Sequence, residues 1–251
     1  MLFSIVTVTF NAQHTLQRTL QSIGNQSFRQ FQLVIVDGAS TDGTITMAEK
    51  FRDDNQDIDI KIICEPDKGI YDAMNKGIAN SEGTYLCFLN SGDKFHSDDV
   101  LQKVADIIDR QEIQPAVVYG ETDIVDDNGN FIRHRRLKAP ERLKSTAFKS
   151  GMLVCHQSFY ARKDIVPTYN IDYRFSADFD WCINVMAKAE LHDLPMVNTN
   201  IILTDYLQEG MTTQNHKASL RERFRIMAKH YGLSTTILNH IWFVIRAFTK
   251  K

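Results

Sequence analysis

Two apolar, β-branched runs separated by a helical stripe constrain this chain most. Phe3 to Phe10 (FSIVTVTF) alternates toward Asn11, and Leu16, Leu20 and Ile23 then recur at helical spacing. Phe31 to Val36 resumes an apolar run that leads into DGASTDG. Gly24 is a natural stop for the intervening helix. Strand, helix and strand with tight connections make the unit from which a parallel sheet is built.

The pattern continues. Ile58, Ile60 and Ile62 alternate toward Cys64, and Gly69 to Asn80 carries Ile70, Met74 and Ile78 on one helical stripe, with Gly77 allowing close packing. Thr84 to Asp93, TYLCFLNSGD, places Leu86 to Leu89 in a strand buried on both faces and Asn90 to Asp93 where that strand emerges. Ligands of open α/β sheets collect outside the carboxyl ends of the strands. Each strand tip therefore has two readings. Asp93 is a metal or substrate ligand, or the end of a turn that caps the next helix. Asp37 accepts an N–H from a planar heterocycle, or closes an Asx-turn. Asp67 and Lys68 serve a pyrophosphate at a helix entrance, or form a solvated pair.

After Asp93 the order changes. Ser97 to Arg110 reads as a helix capped by Ser97, Ala116 to Tyr119 as a strand, and DDNGN (126 to 130) as a hairpin turn into Phe131 to Arg136. Antiparallel pieces are thus expected beside the parallel ones. His134, Arg135, Arg136 and Lys138 suit an anionic substrate or a solvated edge. Met152 to Arg162 alternates as a strand and places His156 and Gln157 among apolar neighbours, where they form a structural pair or hold an acceptor. Phe175 to Glu190 reads as a helix capped by Ser176. Asp178 in its first turn is either a partner of the helix dipole or a base whose pKa the aromatic Phe175, Phe179 and Trp181 raise. A last strand, Val197 to Tyr206, precedes the polar loop QEGMTTQNH and two amphipathic helices, striped by Leu220, Phe224 and Met227 and by Ile237, Ile241, Val244 and Phe248. Arg221, Arg223, Arg225, Lys229, Arg246, Lys250 and Lys251 make this end basic, as a solvated face or as a contact for an anionic membrane.

A formal net charge of -2 offers a polyanion no general attraction, so no nucleic-acid partner is expected. Cys64, Cys87, Cys155 and Cys182 lie far apart, which signals neither a zinc site nor a disulfide framework. Met1 to Phe10 is too short to span a membrane and lacks the pattern of a signal peptide. The expected location is the cytoplasm, with the basic helices adding the inner face of the membrane as an alternative.

Taken together, TVTFNA, QLVIVDGASTDGT, EPDKGIYDAMNKGIANSEGTYLCFLNSGD and SADFDW resemble family 2 glycosyltransferases with the GT-A fold. The resemblance implies a Rossmann-like, mostly parallel α/β sheet flanked by helices, followed by a C-terminal helical extension. In this reading residues 1–210 form the GT-A domain, with 1–95 binding the nucleotide sugar and 96–210 the acceptor, and 211–251 are the amphipathic helices. It implies a nucleotide-diphosphate sugar donor, Mg²⁺ or Mn²⁺, and inverting displacement by a hydroxyl of a glycan or lipid-linked acceptor. Thr9, Phe10 and Asn11 match the strand tip beside the nucleoside, Asp37 the base-reading carboxylate, and Asp67 the acidic position of the third loop. Asn90, Ser91, Gly92 and Asp93 match the metal segment, with Asn90 and Gly92 where acidic residues are usual, so that Asp93 alone remains as metal ligand. Asp178 matches the catalytic base, with Ala177 where Glu commonly stands, and His156 and Gln157 fall to the acceptor. No Q-x-x-R-W motif or spanning helix is present, so transfer of a single sugar is expected. A sugar nucleotidyltransferase is the rival enzyme, although no Gly-rich, basic loop follows the first strand. A catalytically silent nucleotide-sugar-binding subunit is the rival binder.

Overall fold

The structure, a computed structural model, describes residues 1–208 and 216–249. The boundary expected at 210/211, most of the loop QEGMTTQNH, and Lys250 and Lys251 lie outside the described residues.

The strand–helix alternation is present from the first residue pairings. β1 (Phe3–Thr9), α1 (Gln13–Gly24), β2 (Phe31–Asp37), α2 (Thr44–Asp54), β3 (Asp59–Cys64), α3 (Ile70–Asn80) and β4 (Tyr85–Phe88) follow in order. These four strands run parallel in the order β3, β2, β1, β4. β1, β2 and β4 are buried along their whole length, because helices cover both faces. Val6, Val34 and Phe88 join the core under α3, and Ile5, Leu33 and Cys87 join the core under α1. Gly77 lets α3 approach this closely: a Cβ there would stand 2.3 Å from Val6 Cγ1.

The second half mixes directions, as the hairpin signal indicated. β5 (Lys94–Phe95), α4 (Val100–Asp109), β6 (Val117–Val125), β7 (Phe131–His134), β8 (Phe159–Arg162), α5 (Ala177–Leu191) and β9 (Met196–Leu207) complete a nine-stranded mixed sheet. β8 inserts antiparallel between β4 and β6, while β6 and β9 are parallel. The strand expected over Met152 to Arg162 begins only at Phe159. His156–Ser158 instead form a 3₁₀ turn, closed by Ser158 N–H donating to the Cys155 carbonyl at 3.0 Å. Ser97 does not cap α4, since its hydroxyl turns to Asp99 Oδ1 and the helix starts at Val100. Ser176 does hold the N-cap position of α5, but its hydroxyl bonds Ser219 Oγ at 2.9 Å instead of its own helix.

That Ser219 lies on α6 (His216–Tyr231), which with α7 (Leu233–Thr249) forms the C-terminal extension. α6 is clamped to the start of α5. Glu222 accepts the backbone N–H groups of Arg174 and Phe175, both at 2.8 Å, and His230 Nε2 lies 2.6 Å from Asp180 Oδ1. Burial pushes the Asp180 carboxyl up, but the His230 hydrogen bond and the Lys229 ammonium outweigh it and hold the group below its ordinary value. A depressed carboxyl contributes stability above its unfolded pKa and loses it as the pH falls through the folded one. His230→Gln should therefore cost about 2 kcal/mol in chemical denaturation at pH 7. The difference from wild type should close as the pH drops below about 4.

Candidate active site

The tips of β1 and β2 lie side by side at the carboxyl edge of the sheet, with Thr9 paired to Asp37. Asp37 is fully buried there, and both its oxygens are engaged. Oδ1 accepts from Thr9 Oγ1 at 2.7 Å and Ser40 Oγ at 2.6 Å, while Oδ2 accepts from Ser40 N–H at 2.7 Å and Cys64 Sγ at 3.6 Å. Asp37 thus fixes the loop, and Thr9 is its partner. Asn11 adopts a left-handed φ of 48° and its side-chain oxygen accepts from Thr41 N–H at 3.0 Å, holding the same loop from the other side. Phe10 is 65% exposed, a ring offered to solvent beside Gly38. Asp67 faces Gly38 as well: a Cβ there would stand 2.5 Å from Asp67 Oδ2. Asp67 Oδ1 accepts from Gly69 N–H at 2.8 Å, and Oδ2 has no partner among the described residues. The open carboxylate oxygen next to an exposed aromatic ring therefore belongs to Asp67.

Next along the edge, β4 ends and Asn90 to Asp93 turn, with Asp93 N–H donating to the Asn90 carbonyl at 3.0 Å. Gly92 takes a φ of 99°, which a side chain would strain. Arg18 on α1 clamps the Gly92 carbonyl and the Asp126 and Asp127 carbonyls of the hairpin, and Ser91 Oγ meets Thr15 Oγ1 at 2.9 Å. Asp93 is 3% exposed. It accepts from Leu207 N–H at 3.0 Å and from Gln157 Nε2 at 2.9 Å. Burial pushes its carboxyl up to about 6 despite those two donors. Asn90 Oδ1, in contrast, is a buried acceptor with no partner among the described residues.

Asp178 opens α5 on the facing side. Tyr71 on α3 donates to its Oδ1 at 3.1 Å, and His156 Nδ1 lies 3.5 Å from its Oδ2. The aromatic neighbours do not shift it as the sequence suggested. Phe179 stacks on Phe148 and Trp181 on Tyr169, inside the core, while the carboxylate meets polar groups. Burial pushes Asp178 up, but His156 first, then Arg223 and Tyr71, hold it below the ordinary carboxylate range. It is poised ionised. His156 Nε2 is buried without a partner among the described residues. His156 and Gln157 are consecutive and bind Asp178 and Asp93 respectively, so one short turn links the two carboxylates.

Sequence reasoning missed Tyr71 and Arg18 at this site, and read Arg223 only as part of the basic C-terminal end. Each is contributed by a helix whose pattern showed only which face is apolar. Arg223 helps line a cavity of about 240 Å³ with Arg136, Leu137, Met152, Phe179, Leu220 and Met227, next to the start of α5.

Comparison with known proteins shows the family and the fold. Residues 4–170 match the family model of Glycosyl transferase family 2. A PGL/p-HBAD biosynthesis glycosyltransferase of Mycobacterium bovis (strain BCG / Pasteur 1173P2) is 35% identical over 193 residues, covering 76% of this chain and 72% of the relative. The chain belongs to glycosyl transferase family 2. The amylovoran biosynthesis glycosyltransferase AmsB of Erwinia amylovora is a more distant relative of this glycosyltransferase, 26% identical over 72% of the chain and 62% of its own length. Among solved structures, S. aureus TarS 1-349 in complex with UDP superposes with a TM-score of 0.70 at 17% identity, over 99% of this chain and 72% of that one. The mannosyltransferase PcManGT from Pyrobaculum calidifontis, in complex with GDP-Man and Mn2+, gives 0.61 at 14%, over 94% and 73%. The glycosyltransferase thus has the GT-A fold that its motifs implied.

The residues at the tip of β4 fit a divalent cation in a limited way. Asp93 already has a donor on each oxygen, whereas Asn90 Oδ1 has no partner among the described residues. A hard cation that takes most of its ligands from phosphate and water tolerates so sparse a protein contribution.

The division of labour between the first two carboxylates is testable by calorimetry with nucleoside diphosphates. Asp67→Asn should weaken affinity by about tenfold or more with an unchanged melting temperature, the loss of a charge-assisted hydrogen bond. Asp37→Asn should lower the melting temperature itself, because a buried hub of four donors is disrupted.

Proposed function

We propose that this glycosyltransferase moves a single sugar from a nucleotide-diphosphate sugar to a hydroxyl of a glycan or lipid-linked acceptor, inverting the anomeric carbon. The observation that carries the reading is the fixed, ionised Asp178, joined through His156 and Gln157 to the buried Asp93. The nucleoside rests against Thr9, Phe10 and Asn11, and Asp67 Oδ2 accepts the N–H of its base, with Asp37 holding the loop. Asn90, Ser91 and Gly92 face the diphosphate. Asp178 takes the acceptor hydroxyl's proton as that oxygen attacks the sugar carbon, and the bond to phosphate breaks with its electron pair leaving on the diphosphate. Displacement from the opposite face inverts the centre. Tyr71 and His156 hold the carboxylate in line. A bound Mg²⁺ or Mn²⁺ would neutralise the departing diphosphate, with Asn90 and, after a shift of Gln157, Asp93 as protein ligands.

Asp178→Asn should keep donor binding, read as a thermal shift with UDP or GDP sugars and Mn²⁺, while turnover falls by about 10² to 10⁴-fold. Retained turnover would remove Asp178 from the mechanism. The engaged Asp93 favours a second reading, a nucleotide-sugar-binding subunit without turnover; donor hydrolysis or transfer by the purified protein separates the two.

The cavity lined by Leu137, Met152, Phe179 and Met227 with Arg136 and Arg223 supports an acceptor that carries an apolar aglycone and an anionic group. Beyond it, α7 exposes Leu233, Ile237, Leu238, Ile241 and Trp242, and α6 exposes Arg221, Arg225 and Lys229. No helix among the described residues is long and apolar enough to cross a membrane. An amphipathic face beside basic groups supports peripheral contact with the anionic inner face of the membrane, reached from the cytoplasm. Wild type should co-sediment with vesicles containing anionic lipid and not with neutral ones, and Leu238→Glu with Trp242→Glu should abolish the association. Equal sedimentation with both vesicle types would refute it.

A further inference from the structure

On the sheet face turned away from Asp93 and Gln157, strand register aligns Lys94, Asp205, Asp123 and His134 in one row across β5, β9, β6 and β7. Their neighbours Thr204 and Thr122 point the other way, to the Gln157 carbonyl and Ser158 Oγ. The row thus lies on the sheet face opposite the turn that carries His156 and Gln157. None of its members has a part in the transfer chemistry.

Its electrostatics are unusual. Asp123 and Asp205 are paired directly across adjacent strands and are only 4% and 5% exposed. Like charges so placed repel, and burial deprives them of water. Lys94 Nζ, 3.0 Å from Asp205 Oδ2, offsets one of the two charges. Among the described residues an imidazole also stands at each carboxylate: His96 Nδ1 is 2.6 Å from Asp205 Oδ1, and His134 Nδ1 is 2.8 Å from Asp123 Oδ1. One ligand atom each from His96, Asp123 and Asp205 falls within 4.8 Å of the other two. A single cation can draw such a set together.

We propose that His96, Asp123 and Asp205 bind a divalent transition-metal ion of the Zn²⁺, Co²⁺ or Ni²⁺ class, separate from any ion at the donor site. Imidazole nitrogen mixed with carboxylate oxygen selects these ions over Mg²⁺ and Ca²⁺. The His96 side chain is 39% exposed and gives the ion a path from solvent, and Lys94 swings off Asp205 as the positive charge arrives. His134, 72% exposed at its side chain, acts from behind by orienting Asp123. The ion staples β5 to β9 and β6. β5 spans only Lys94–Phe95 and directly follows Asp93, so occupancy fixes the back of the donor site without entering it.

The test uses the full chain, stripped with chelator and desalted, and titrated with Co²⁺ by visible absorption and with Zn²⁺ by calorimetry. Wild type should bind one equivalent that raises the melting temperature in the absence of any nucleotide. Asp205→Asn and the exposed-site variant His96→Ala should each lower that affinity by more than tenfold, and His134→Ala by about tenfold. Asp93→Asn should leave this equivalent intact. Absence of binding would overturn the proposal. So would an equivalent that survives His96→Ala and Asp205→Asn but disappears with Asp93→Asn, since that ion would sit at the donor site.

Discussion

Asp93 is the constraint on which the site depends. A carboxylate taken out of water must be matched, and here the matching donors come from the Gln157 side chain, at the turn before β8, and from the Leu207 backbone at the end of β9. One buried group therefore ties the tip of β4 to two segments more than sixty residues away along the chain. Because His156 precedes Gln157, the same turn delivers an imidazole to Asp178. The spacing between Asp93 and Asp178 is set by this short relay.

The C-terminal helices act on the same relay from outside. Glu222 and Ser219 hold the entry to α5, His230 and Lys229 neutralise Asp180, and Arg223 lends positive charge to Asp178. The extension thus belongs to the site electrostatically, although it lies outside the sheet. α7 is apolar on its outer face, and α6 beneath it packs on the helix that carries Asp178.

Two carboxylates stand in surroundings other than those the sequence suggested, because folded geometry and not residue type decides what each one meets. Asp37 stands where a base reader was expected, yet Thr9, Ser40 and Cys64 fill its acceptor positions. Asp67, from the next strand's loop, keeps an open oxygen over Gly38. Asp178 sits among aromatic residues in sequence, but helical geometry sends Phe179 and Trp181 into the core and the carboxylate toward Tyr71 and His156. A neighbour in sequence on a helix is not a neighbour in space.

The sequence by itself determined the sheet. The runs Phe3–Thr9, Phe31–Asp37 and Tyr85–Phe88 are apolar enough to be buried on both faces, and that burial demands parallel strands with helices on either side, whose carboxyl ends gather polar residues at one edge. It also marked the residues of that edge, since a polar cluster after an apolar strand is a local signal. Only the tertiary structure decided which of them are free to act. The antiparallel insertion of β8, the turn at His156–Ser158, the contribution of Tyr71 and Arg223, and the row on the opposite sheet face all arise from pairings between distant segments. Hydrogen-bond saturation and burial are properties of those pairings, and no local pattern encodes them.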